Sequence, residues 1–178
     1  MSQLSKPISY TPSEARRVVH DVVGRFGRID AVCNLVGGFA SGTAVHETSL
    51  ETWERVLSLN LKPMLNVSAA AVPYMSERRA GAIINIGAGV AQKGLARMGA
   101  YIASKSAVQR ITESMSAELR ESNINVNCLL PGAMDTPENR DAMPGNEQLI
   151  DLDGIAHVIR FLISDDARVI KGACINLA

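Results

Sequence analysis

Tyr101 and Lys105 are the two residues whose types and spacing point most directly to chemistry in this sequence. They lie four positions apart in a stretch, 99–121, whose apolar pattern predicts a helix, so both side chains project from one face. A free phenol has a pKa near ~10 and exchanges protons poorly at neutral pH, but a neighbouring ammonium favours the phenolate and lowers that pKa. The pair therefore predicts a tyrosine that exchanges a proton with a reacting oxygen.

Predicted helices and strands alternate along the chain at the rhythm of βαβ units. Helices are expected at 11–26, 48–72, 99–121 and 153–164, and capping boxes that start at Thr11 and Thr48 open the first two. Apolar runs without alternation, typical of strands covered on both faces, lie at 29–36, 81–87, 125–130 and 171–177. This order predicts a single α/β domain over 1–178, with a parallel sheet and helices on both faces.

The ends of the predicted strands mark where a ligand would bind. Ligands of open α/β sheets lie beyond the carboxyl ends of the strands, which selects Gly37–Gly38, 87–94, 131–136 and the start of the helix that holds Tyr101. This position favours the catalytic interpretation of the Tyr101/Lys105 pair. The alternative is a surface helix that happens to carry an aromatic residue and a charge.

Composition and charge exclude several classes of function. Eighteen basic residues balance eighteen acidic ones, which predicts no nucleic-acid partner. No apolar run approaches the ~18 residues of a spanning helix, so no membrane association is expected. The histidines are scattered and predict no metal site: His20, His46 and His157. The cysteines fall in apolar runs and predict buried free thiols in a reducing, cytoplasmic compartment: Cys33, Cys128 and Cys174.

Six segments of the chain agree with one family pattern in order and spacing. They are Phe26-Gly-Arg-Ile-Asp30, Asn34-x-x-Gly37, Leu59-Asn-Leu61, Ile84-Asn-Ile86, Tyr101-x-x-x-Lys105 and Pro131-Gly-x-x-x-Thr136. Together they resemble the short-chain dehydrogenase/reductase family, over nearly all of the chain from Ser13 onward. The resemblance implies a partial Rossmann-like doubly wound sheet and an oxidoreductase that uses NAD or NADP. It also implies a small-molecule substrate and a homo-oligomer, a dimer or tetramer.

The same resemblance assigns roles to individual residues. Tyr101 is expected to be the general acid and base, and Lys105 to hold the nicotinamide ribose and lower the tyrosine pKa. Asn60 is expected to position a water in the proton relay. The residues expected to bind the cofactor are Asn34, Gly37, Lys105, Pro131, Gly132 and Thr136.

The position of the family's usual catalytic serine, thirteen residues before the tyrosine, holds Ala88. Loss of such a hydroxyl donor costs on the order of 3 kcal/mol where an alkoxide develops, so a simple alcohol or ketone substrate is disfavoured. Dihydropteridine reductases in the family also lack that serine, and two stretches here, 36–39 and 135–144, resemble theirs. A pterin-like or other conjugated acceptor is one interpretation, and a catalytically weakened relative is the other.

The sequence also departs from the family pattern at the segment that binds the pyrophosphate of the cofactor. Family members open with a strand and a Gly-x-x-x-Gly-x-Gly turn that holds this group, and this sequence has no such turn. The resemblance thus implies an N-terminally shortened chain that supplies strands 4 to 7 of the sheet order 3-2-1-4-5-6-7. Its first strand, 29–36, would be an exposed apolar edge that invites pairing with another chain. The competing hypothesis is a non-catalytic remnant that acts as an oligomerising or binding module.

Overall fold

The computed structural model describes residues 11–178, which form a four-stranded parallel sheet between helices. The strands are β1 (Ala31–Asn34), β2 (Gly81–Ile86), β3 (Ile124–Pro131) and β4 (Cys174–Leu177), and they lie side by side in that order. The helices are α1 (Pro12–Phe26), α2 (Leu50–Arg78), α3 (Gly99–Glu118), α4 (Pro137–Ala142) and α5 (Leu152–Leu162). The prediction of an α/β fold with a parallel sheet is confirmed.

Successive residues of the inner strands point into two different cores. Ile83 of β2 and Val126 of β3 are fully buried against α1 and α2 on one face. Ile84, one position after Ile83, and Leu129, three positions after Val126, are buried against α5 on the other face. Because side chains alternate across a strand, two inner strands with no exposed face require helices on both sides. The predicted doubly wound arrangement is confirmed.

The start of α1 is the capping box that the sequence predicts. The Thr11 hydroxyl accepts a hydrogen bond from the Glu14 backbone N–H at 3.2 Å, and the Glu14 carboxylate accepts one from the Thr11 backbone N–H at 2.8 Å. The helix ends at Gly27, whose φ of 72° lies in the left-handed region that glycine adopts without a steric cost.

The predicted capping box at Thr48 is wrong by one residue, because Ser49 caps α2. The Ser49 hydroxyl accepts from the backbone N–H of Thr52 at 3.2 Å. The Thr48 hydroxyl instead donates to the carbonyl oxygen of Ala44 at 2.8 Å, within the short 3-10 turn before the helix. The preceding turn therefore occupies the threonine side chain, and the cap passes to its neighbour.

Several boundaries and one helix also differ from the sequence expectation. The first strand is paired only over Ala31–Asn34 rather than 29–36, and the last over Cys174–Leu177 rather than 171–177. The segment 134–152, which lies outside the helices and strands expected from the sequence, contains α4. The Thr136 side chain caps this short helix by accepting from the Asn139 backbone N–H at 3.2 Å, and Pro137 occupies its first turn.

The cysteines do not share the buried environment that the sequence predicts. Cys128 is buried and Cys174 is partly exposed, but Cys33 is exposed. Val32 points into the core under α1 and α2, so its neighbour Cys33 points to the other face of β1. The prediction of a buried thiol is wrong at Cys33, because this strand ends the described sheet and is not covered there.

Within residues 11–178, β1 forms one edge of the sheet and pairs only with β2. Apolar side chains stand open near this edge, with Leu35 61% and Phe26 64% exposed. This is the exposed apolar edge that the sequence predicts. Across the same described residues, no helix is both long enough and apolar enough to cross a membrane.

Candidate active site

The amino-terminal half of α3 carries Tyr101 and Lys105 to the carboxyl ends of the central strands. The Lys105 Nζ atom donates a hydrogen bond of 2.9 Å to the carbonyl oxygen of Ile86, the last residue of β2. A Cβ atom built at Gly37, just beyond β1, would lie 3.1 Å from the same nitrogen. The ammonium therefore lies where β1 and β2 end, which is where a ligand of this fold class binds.

Burial changes the protonation behaviour of Lys105. Its side chain is only 7% exposed, and loss of solvation lowers the pKa of the ammonium from 10.5 to about 8. At pH 7 the group still carries its charge. It remains a hydrogen-bond donor with three N–H groups, of which the Ile86 carbonyl accepts one.

Tyr101 lies one helical turn earlier and is half-buried. Its ring meets the ring of Phe39 edge-on, with centroids 5.0 Å apart and planes at 70°. Burial raises the pKa of the phenol above its usual value of 10, and it is the only cause of the shift. This direction is opposite to the lowering that we expected from Lys105, because the cost of burying the phenolate governs the shift.

Asn60 ties the loop after β1 to the start of α3. Its Oδ1 atom accepts from the backbone N–H of Gly38 at 2.9 Å, and its Nδ2 atom donates to the Gly38 carbonyl oxygen at 3.1 Å. The same Nδ2 donates to the Ser104 hydroxyl at 2.9 Å, and that hydroxyl donates to the Tyr101 carbonyl at 2.7 Å. The side chain is engaged by protein groups, and its role with a water stays a prediction.

The Asn34 side chain is bonded to protein groups, and its expected contact with the cofactor stays a prediction. Its Nδ2 atom donates to Asn85 Oδ1 at 2.8 Å and to the Ser68 hydroxyl at 3.3 Å. Asn85 in turn donates to the Thr112 hydroxyl on α3 at 2.9 Å. The network joins β1 and β2 to α2 and α3, so this amide fixes how sheet and helices pack beneath the site.

β3 also ends at this edge of the sheet, with Pro131 as its last residue and Gly132 in the turn that follows. The Gly132 backbone N–H donates to the Leu177 carbonyl at 3.1 Å, which places the turn at the end of β4 as well. A Cβ atom built at Gly89 would lie 3.5 Å from the Pro131 carbonyl oxygen, so the loops after β2 and β3 are in contact. Thr136 belongs to the same segment, but its hydroxyl caps α4.

Ala88 occupies an apolar corner beside Tyr101. It is 5% exposed and packs in a cluster with Ala91 and Ile102, against which Tyr101 also lies. The two nearby serines do not replace the missing hydroxyl. Ser104 is bonded to Asn60 and to the Tyr101 carbonyl, and Ser106 donates to the Ala91 carbonyl at 2.8 Å.

Phe39 and Ser104 belong to this site although the sequence assigned neither to it. The signal for Phe39 was an aromatic residue directly after Gly37–Gly38 at a strand end, and the signal for Ser104 was its position next to Lys105. Among residues 11–178, no three His, Cys, Asp or Glu side chains are grouped so that they could hold a metal ion.

Comparison with known proteins gives the family. A family model described as short chain dehydrogenase matches residues 8–147. The chain belongs to the short-chain dehydrogenase family. Its members are oxidoreductases, and the structure described above has their fold.

Individual relatives agree with this assignment. The chain is 32% identical over 175 residues to a 3-oxoacyl-(acyl-carrier-protein) reductase of Thermotoga maritima, covering 92% of this chain and 70% of the relative. It is 31% identical over 176 residues to the enzyme of that name from Staphylococcus aureus, with 92% of this chain and 70% of the relative covered. The solved structure of ElxO with NADP bound superimposes with a TM-score of 0.87 at 22% identity, over 98% of this chain and 75% of that one.

Proposed function

We propose that this chain carries the proton-transfer centre of a nicotinamide-dependent oxidoreductase, with Tyr101 as general acid and base. The observation that supports it most is the position of Lys105, an ammonium that is 7% exposed at the carboxyl ends of β1 and β2. A buried charge of this kind is costly to the fold. Strongly shifted titratable groups cluster at functional sites, and Tyr101 lies one helical turn away.

The protonation states favour Tyr101 as the proton donor in the reductive direction. Because burial raises its pKa, the phenol is fully protonated at neutral pH. It can then give its proton to an oxygen that gains negative charge. The Lys105 ammonium, still charged at pH 7, favours the phenolate that this transfer leaves behind.

NAD or NADP fits the residues at this edge. Lys105 has N–H groups beyond the one bonded to Ile86, and these would hold the ribose hydroxyls. Gly37 fits as well, because a Cβ atom there would meet Asn60 Oδ1 at 2.7 Å and occupy the space beside the ammonium. Pro131 and Gly132 would line the nicotinamide side, and the placement of Thr136 there is part of the proposal. When bound, the cofactor supplies or accepts a hydride.

The pyrophosphate is the part of the cofactor without a matching loop. Residues 11–178 contain no Gly-x-x-x-Gly-x-Gly turn at a helix start, the feature that binds this group. We propose that 1–178 forms one domain that supplies the catalytic side of the site. We therefore expect it to bind either dinucleotide weakly on its own.

The substrate is proposed to be a small molecule whose reacting oxygen needs no hydroxyl donor at position 88. The names of the relatives indicate that they reduce 3-oxoacyl groups, and we take a carbonyl oxygen as the reacting group here too. A pterin-like acceptor, suggested by the likeness to dihydropteridine reductases, stays a prediction.

Titration of the chain with NADH and NADPH, followed by nicotinamide fluorescence, tests the proposal. We expect saturable binding in the millimolar range and its loss in Lys105→Met. Lys93→Met is the matched control, since Lys93 is an exposed lysine that lies before α3. Absence of binding by the unmodified chain at millimolar cofactor would contradict the proposed function.

The exposed edge at β1 supports a second candidate, an oligomerising module. Leu35 and Phe26 leave more than half of their surfaces open there, and an unpaired apolar edge favours association with another chain. Sedimentation of the purified chain over a tenfold range of concentration tests this. We expect dimers or larger species that dissociate on dilution, and a monomer throughout would contradict it.

A further inference from the structure

Phe39 presents an aromatic surface at the mouth of the site. The side chain is 60% exposed, although its ring edge lies against the ring of Tyr101. A large apolar side chain left open to water is unfavourable, and this one lies next to the phenol that we propose as the proton donor. A ligand that reacts at Tyr101 would pass within contact distance of the Phe39 ring.

The backbone on which Phe39 stands is held in one arrangement. Asn60 bonds both backbone groups of Gly38, the residue before it. The loop also fits its surroundings tightly. A Cβ atom at Gly38 would clash with a Leu59 methyl carbon, and one at Gly37 would lie 2.7 Å from Asn60 Oδ1. The ring is therefore presented by a fixed loop rather than by one that adapts to each ligand.

The surface on the other side of Tyr101 is apolar too. Ala88, Ala91 and Ile102 form the buried cluster there, with Met98 and Tyr101 packed against it. The hydroxyls nearby belong to Ser104 and Ser106, and both are bonded to the protein. Apart from the phenol and the ammonium, the described surroundings of Tyr101 offer apolar contact more than hydrogen bonds.

We propose that Phe39 is a specificity-determining residue that packs against a planar, conjugated ring of the substrate beside Tyr101. The proposal rests on the proposed function and narrows its substrate class. Aromatic rings pack favourably with centroids about 4.5–7 Å apart, as the Phe39 and Tyr101 rings already do.

Two ketones with the same number of carbon atoms distinguish the effect of an aromatic ring from the effect of substrate size. Acetophenone carries a planar ring conjugated with its carbonyl, and cyclohexyl methyl ketone carries a saturated ring. The ratio of kcat/KM for the two, measured with NADPH or NADH, reports the preference. An aromatic pair contributes about two- to tenfold beyond its buried area, so we expect the unmodified chain to favour acetophenone by more than its intrinsic reactivity in solution predicts.

Phe39→Leu removes the aromatic face and keeps an apolar side chain of similar size. We expect the ratio of kcat/KM for acetophenone over cyclohexyl methyl ketone to fall about two- to tenfold in this variant. In Phe39→Tyr the ratio should stay unchanged. Phe161→Leu is the matched control, because Phe161 is an exposed phenylalanine on α5, and the ratio should not change in that variant. A ratio that Phe39→Leu leaves unaltered would overturn the proposal.

Measurements of ketone binding test the role of Phe39 independently of the proposed catalytic function. The affinities of both ketones for the chain with cofactor present are measured by ligand-observed NMR, which needs no turnover. If the unmodified chain reduces neither ketone, the catalytic proposal loses support, but tighter binding of acetophenone that depends on Phe39 still supports the specificity role. Equal affinities in the unmodified chain and Phe39→Leu would overturn it.

Discussion

Lys105 bonds to the carbonyl of Ile86, across 2.9 Å from α3 to the end of β2. The ammonium is thereby fixed at the strand ends and faces the loop at Gly37. Because it is only 7% exposed, Lys105 is a buried charge whose cost to the fold can be measured.

Replacement of Lys105 should stabilise the fold at neutral pH. Below pH 8 the lysine is protonated in both states, so the folded state bears the full cost of the buried charge. Between about 8 and 10.5 the folded state loses its proton first, and stability rises with pH. At about 1.4 kcal/mol per pKa unit, less the Ile86 hydrogen bond, Lys105→Met should gain about 2 kcal/mol at pH 7.

Urea unfolding of both chains from pH 7 to 10.5 checks this prediction. The gain in unfolding free energy should shrink as the pH rises, reach zero near about pH 9.5 and become a loss of about 1 kcal/mol at pH 10.5. A gain that stays constant across this range would show that the lysine does not titrate as described.

The pH dependence of the reaction follows from the same two groups. In the reductive direction Tyr101 stays protonated well past neutrality because burial raises its pKa. The rate should therefore hold steady near pH 7 and fall above about 8, where Lys105 loses its charge. Profiles of kcat/KM report the groups of the free enzyme. A decline that begins below pH 7 would contradict these assignments.

Restoring a hydroxyl at position 88 should improve the reduction of simple ketones. Ala88 packs beside Tyr101 in an apolar cluster, and one donor to a developing oxyanion is worth about 10²–10³-fold in kcat. We expect Ala88→Ser to raise kcat for an aliphatic ketone by about tenfold or more. Ala91→Ser, in the same cluster, is the control, and an equal gain in both variants would argue against a positional effect.

Much of this site could be predicted because its signals are local. The helical spacing of Tyr101 and Lys105, the strand before them and the turn at Pro131–Gly132 are all read from short segments. The unpredicted features depend on residues far apart in sequence. Asn60 bonds Gly38 across 22 positions, and Phe39 meets Tyr101 only once α3 has packed beside the loop after β1. The direction of the Tyr101 pKa shift depends on the same packing.

The hydrogen bonds of the Asn60 side chain to Gly38 and Ser104, which we call the Asn60 clamp, should stabilise both the fold and the loop after β1. Asn60→Ala would leave the Gly38 N–H, the Gly38 carbonyl and the Ser104 hydroxyl without their present partner. Each buried group left unsatisfied costs about 1–3 kcal/mol, so we expect a loss of at least 2 kcal/mol in unfolding free energy, measured in urea.

Asn60→Asp separates the two sides of the clamp, because a carboxylate can still accept from the Gly38 N–H but donates nothing. Amide hydrogen exchange at Gly38 should stay slow in this variant and become fast in Asn60→Ala. Equal exchange rates in both variants would contradict the bond between Asn60 and the Gly38 N–H.

The most direct test of the account is the rate of NADPH- or NADH-dependent ketone reduction by Tyr101→Phe, with cofactor binding measured on the same samples. Removing the phenolic hydroxyl should lower turnover by at least about 10²-fold, as expected for loss of a general acid. The cofactor Kd should stay within about twofold, since no proposed contact to cofactor is lost. Tyr74→Phe, at a tyrosine on α2 beside the core under α1, should leave both unchanged. Unaltered turnover in Tyr101→Phe would remove Tyr101 from the chemistry.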